Sequence, residues 1–117
     1  MIRFLALGLA AAMITAPDLA SARGWTVLTL GSAATIDECQ AKAEAMFTKQ
    51  GSSLQMGRTG HHVVAYALRG LDIDAAVACA DAGNGNVTGT LSVHTWTTDD
   101  ALDEKRFDLG KELRTLW

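Results

Sequence analysis

Two cysteines, Cys39 and Cys79, stand 40 residues apart in a chain whose start reads as an export signal, and that combination limits the fold more than any other feature. Arg3 is followed by the apolar run "FLALGLAAAMI", Phe4 to Ile14, then by Pro17 and the small residues of "ASA" at Ala20 to Ala22. A basic residue, a short apolar core and a small-residue cleavage site together make a secretory signal peptide. The run is far short of the roughly 20 residues a spanning helix needs. Cleavage after Ala22 leaves residues 23–117, which is 117 less 22, or 95 residues, with no membrane span. In an oxidising compartment an even cysteine count in so small a domain reads as a disulfide, and two cysteines permit one pairing. The expected location is periplasmic or secreted.

A chain of this length builds one small domain around a single core. Its 10 basic and 13 acidic residues give a net charge of −3, and the leader removes Arg3 and Asp18 together, so the mature charge is the same. A basic footprint for nucleic acid is absent.

After the leader, "GWTVLTL", Gly24 to Leu30, is rich in β-branched and aromatic residues and reads as a first strand. "TIDECQAKAEAMFTKQG" reads as a helix, with Thr35 as N-cap, Glu38 three residues on as its capping-box partner, and Gly51 as a stop. Its apolar stripe of Ile36, Cys39, Ala43, Met46 and Phe47 turns Cys39 towards the core. "SSLQMGRTG" reads as a polar loop, and "HHVVAYALRG" as a strand with His62, Val64, Tyr66 and Leu68 on one face and His61 opposite. "DIDAAVACADAG" suits either a short helix or a strand over residues 74–82, and the alternation of Ile73, Val77 and Cys79 favours the strand. "DAGNGN" then supplies a hairpin turn into "VTGTLSVHTW". That last strand puts Val87, Leu91 and Val93 on one face and Thr88, Thr90, Ser92, His94 and Trp96 on the other.

A second helix from Thr98 to Leu116 begins acidic and ends basic, as the helix dipole prefers. Leu102, Arg106, Leu109, Leu113 and Leu116 form its inward stripe. The expected fold is α+β, a two-layer sandwich in the order β-α-β-β-β-α, with a four-stranded, mostly antiparallel sheet and two helices on one face. A strand-rich centre between helices resembles a double-stranded-RNA-binding domain in topology, but four acids open the second helix where duplex phosphates would lie.

Candidate chemistry is sparse. A zinc or copper site needs three or four ligands, and the only histidines are His61, His62 and His94, with acids such as Asp72 or Asp99 nearby in sequence. Adjacent strand residues such as His61 and His62, however, point to opposite faces and cannot easily share one metal. No serine has a nucleophile-elbow context, and the carboxylate pairs Asp72 with Asp74 and Asp99 with Asp100 read as turn and helix-start residues. No catalytic residue, metal or cofactor is expected. What remains is surface: Trp25, Thr90, Ser92, His94 and Trp96 lie on a sheet face that can receive a partner. Phe107, Arg114 and Trp117 form a second candidate patch.

The leader, the first strand, a helix carrying "IDEC" and a later strand carrying "AVAC" resemble small secreted, periplasmic proteins of Gram-negative bacteria grouped as a domain of unknown function. The resemblance rests on Ile36, Cys39, Val77 and Cys79 and implies no activity. The function expected is a non-catalytic binding module that meets a protein or a cell-envelope component. In an inhibitor-like version the loop Gly51 to Gly60 makes the contact. The competing expectation is a carrier of metal or small ligand using His62 or His94.

Overall fold

The computed structural model describes residues 24–50, 55–96 and 99–117. Residues 1–22, read as a leader from the sequence, lie outside the described residues. What is described is an α+β arrangement of five strands and two helices: β1 (Trp25–Ala33), α1 (Ile36–Lys49), β2 (Gln55–Thr59), β3 (His62–Tyr66), β4 (Ile73–Asp81), β5 (Val87–Thr95) and α2 (Asp100–Thr115). The strands form one antiparallel sheet in the order β1-β5-β4-β3-β2.

Five strands replace the expected four because residues 55–59, read as loop, pair with β3. Their residues are almost all exposed, so they carry no apolar alternation to read. Other forces hold the strand. A two-residue turn, Gly60–His61, joins it to β3, and Gly60 takes φ +59°, where a II′ hairpin favours glycine. Arg58 reaches α1, donating from Nη2 to Glu44 Oε1 at 2.6 Å and from Nη1 to Asp37 Oδ1 at 2.7 Å. Those hydrogen bonds, Glu44 first, raise the guanidinium pKa above its already high ordinary value, so Arg58 stays charged. Gln40 of α1 fastens the turn itself, donating from Nε2 to the Gly60 carbonyl at 2.8 Å. Of the loop proposed as an inhibitory contact, residues 51–54 lie outside the described residues and 55–59 are this strand.

Residues 73–81 are strand throughout, which settles the ambiguity over 74–82. The strand after the histidines is shorter than expected. Alternation ends at Tyr66, because Ala67 and Arg69 adopt φ of +52° and +56° around a single turn of 3₁₀ helix, Leu68–Gly70. Leu68 is thereby swung off the face it would share with Tyr66 and is wholly buried.

Both helices cover one face. Cys39, Ala43, Met46 and Phe47 of α1 and Leu109 and Leu113 of α2 meet Val63, Ala65, Val77, Leu91 and Val93 from the strands in a single core. The helix ends behave as their residues dictate: Thr35 Oγ1 accepts from the Glu38 amide at 3.0 Å, and Asp99 Oδ1 accepts from Ala101 at 2.9 Å. Glu38 reaches back to the amide of Ala34 at 3.1 Å, one residue beyond the cap. Cys39 and Cys79 are bonded, both buried, so the disulfide joins α1 to β4 in the middle of the sheet.

Arg106 is a polar member of the inward stripe of α2. It is buried, pairs with Asp103 at 2.5 Å, and donates to the hydroxyls of Thr26 at 3.0 Å and Thr95 at 3.2 Å. Trp117 is only partly exposed and packs inward. A methyl group at Gly31 would lie 2.6 Å from its indole nitrogen, and one at Gly89 would lie 3.0 Å from its ring, so two glycines make room for the terminal side chain. The proposed patch of Phe107, Arg114 and Trp117 is thus divided: Phe107 is exposed, whereas Trp117 seals the core beneath Lys42. Among the described residues no helix is long and apolar enough to cross a membrane.

Candidate functional site

Strand register, which no single segment reveals, lines up the side chains of the helix-free face in rows across the sheet. Trp25 pairs with His94, His94 with Asp74, and Tyr66 with Gln55. Tyr66 follows Ala65, the partner of Ala75, and so falls beside Asp74. One row therefore reads Trp25, His94, Asp74, Tyr66, Gln55 over all five strands. The next row reads Val27, Ser92, Ala76, Val64, Gly57, and the one beyond it Thr29, Thr90, Ala78, His62, Thr59.

The first row is the aromatic one. Trp25 stacks on His94 with ring centroids 4.2 Å apart and planes inclined at 28°. Trp96, just beyond the end of β5, meets His94 edge-on at 4.5 Å. Its indole Nε1 donates to Asp74 Oδ2 at 2.5 Å, which fixes the ring over β4. The other carboxylate oxygen of Asp74 accepts from the amide of Ala67 at 3.0 Å. Asp74 thereby couples two features: the tryptophan, and the left-handed backbone at Ala67, a conformation costing on the order of 1–2 kcal/mol for a non-glycine residue.

Between Tyr66 and Val64 on one side and Trp25, His94 and Trp96 on the other lies a concavity of about 390 Å³, floored by Ala76 and Ser92. The floor is low because the central strand turns alanines to this face. Trp96 is 68 % exposed, Val27 60 %, Trp25 50 % and Tyr66 48 %, so large apolar groups are presented rather than packed away. A second concavity, about 460 Å³ beside Phe107, is lined by α2 alone, where Lys111 sits 3.7 Å from Asp108 and Arg106 pairs with Asp103.

Of the surface residues expected from sequence, Trp25, His94 and Trp96 come together, with Ser92 beside them in the floor and Thr90 one row further. Sequence reasoning missed Tyr66, Val64, Ala76 and above all Asp74, which was assigned to a turn. The alternation of Ile73, Ala75 and Val77 into the core carried the signal, since it places Asp74 on the opposite face. The histidines do not converge. His61 is in the β2–β3 turn, and His62 lies two strands and four residues from His94, about 16 Å at ordinary sheet spacings. Among the described residues no cluster of three or more histidine, cysteine or acidic side chains could hold a metal ion. No family model, no curated protein and no solved structure matches the chain.

Proposed function

We propose that this chain is an exported, non-catalytic binding module of the periplasm or cell envelope, and that the aromatic row on its helix-free sheet face is the working surface. The observation that carries this reading is the exposure of Trp25, Tyr66 and Trp96 around one concavity, when a small domain ordinarily turns such residues inward. Tryptophan and tyrosine supply large, stiff contact area and recur at binding hot spots. Export is supported by the leader pattern of Arg3, Phe4 to Ile14 and Ala20 to Ala22, and by the Cys39–Cys79 disulfide, which persists in oxidising compartments. A binding role is supported by the stacking of His94 and by the use of both Asp74 oxygens as hydrogen-bond acceptors.

The test is capture from an envelope fraction with the disulfide-bonded chain, its W25A/W96A variant and an F107A control from the opposite layer. Partners held by the parent and by F107A but lost from W25A/W96A support the reading. Unchanged capture by W25A/W96A overturns it.

A further inference from the structure

We infer that the concavity takes an arginine side chain presented by a protein partner, a proposal that rests on the aromatic row being the binding surface. The argument is one of charge. Among the described residues, Asp74 is the only formally charged side chain that the strands turn to the helix-free face. The donors that hold it, the Ala67 amide and the Trp96 indole, are neutral. A partner that covers this face strips water from a carboxylate with no cation beside it, and a neutral or acidic occupant leaves that cost standing. A cation offsets it. Each Asp74 oxygen now accepts one hydrogen bond, so an ionised carboxylate retains lone pairs for an incoming donor.

Shape and composition narrow the cation further. Val64 in the near wall and Ala76 in the floor are apolar, with the Ser92 hydroxyl the one polar group of the floor, which suits an aliphatic stem and offers few partners to a ligand dense in hydroxyls. The head of such a stem would reach Asp74 between the rings of Tyr66 and Trp96. A planar guanidinium stacks on aromatic faces and pairs with a carboxylate at once, which an ammonium does less well. The chain's net charge of −3 favours the approach of a basic partner.

The experiment uses the disulfide-bonded chain and blocked pentapeptides, one with arginine between alanines and one with citrulline, its uncharged near-isostere, in the same place. A glycan, the N-acetylglucosamine disaccharide, is the third probe. The readout is the indole N–H signals of Trp25 and Trp96 in nuclear magnetic resonance titrations. The arginine peptide is expected to move both signals, with the citrulline peptide roughly tenfold weaker, and D74N is expected to erase the difference. Equal binding of the two peptides, or no movement by either, overturns the proposal. Movement by the disaccharide and not by arginine overturns the cation while leaving the aromatic row as the binding surface, whereas unchanged envelope capture by W25A/W96A removes that surface itself. Should D74N fail to fold, the two peptides on the parent chain still decide.

Discussion

Trp25 and His94 are cross-strand partners in the β1–β5 ladder, and their rings stack 4.2 Å apart on the side of the sheet that bears no helix. An exposed aromatic pair of this kind contributes about 1 kcal/mol beyond its burial. W25A also gives up the buried half of the indole, so it should fold with a loss of about 2 kcal/mol in urea denaturation. A loss above roughly 3 kcal/mol, the scale of a buried aromatic, would mean that the row is a second core instead of a surface.

Removing the disulfide should cost far more. Its loop of 40 residues corresponds to about 4 kcal/mol on the chain-entropy view, large for a domain of this size. C39S/C79S should lose stability on that scale, and the parent should lose as much when reduced. A melting temperature indifferent to reductant would contradict this.

Within the Arg106–Asp103 pair the two partners are unequally placed. The arginine side chain is 8 % exposed and the carboxylate 20 %. Taking away the carboxylate removes the ion-pair partner of the more buried charge, whereas taking away the arginine leaves a carboxylate that water still reaches. D103N should accordingly cost more than R106M, about 3 against about 2 kcal/mol. The reverse order in denaturant melts would show that the arginine's other partners, the hydroxyls of Thr26 and Thr95 among them, hold it without the carboxylate.

The glycines under Trp117 invite a double-mutant cycle. G31A brings a methyl group into the indole and should destabilise by about 1–3 kcal/mol as an overpacked site. In a W117A background the same change should cost little. Additive effects would show that Gly31 serves the β1 bulge between Thr29 and Ser32 and not the ring.

What could be read from the chain, and what could not, follows from where the stabilising forces act. The helices announced themselves because their caps and stripes are local: Thr35 with Glu38, and Leu109 with Leu113, lie within a turn of one another. The disulfide followed from the compartment expected of the N-terminal pattern and from the cysteine count. β2 was missed because its support comes from elsewhere, from Arg58 clasping α1 and from a glycine turn, leaving no periodic trace. Leu68 was put on the wrong side because alternation fails at Ala67, whose left-handed backbone no alanine advertises. The candidate site was half visible for the same reason. Each strand shows which residues share its face, so Trp25, His94 and Trp96 could be proposed, but only pairing register sets Asp74 and Tyr66 in their row.

The bond between Cys39 and Cys79 also changes what a protease can do to this molecule. Most of α1, the whole β2–β3 hairpin, the 3₁₀ turn and most of β4 lie between the two cysteines and form a covalent ring, with β1 in the tail before it and β5 and α2 in the tail after it. One cut anywhere in that ring opens a circle without dividing the chain. Every residue of the aromatic row thus stays tethered to a single molecule after a nick, and the fragments part only when the sulfurs are reduced.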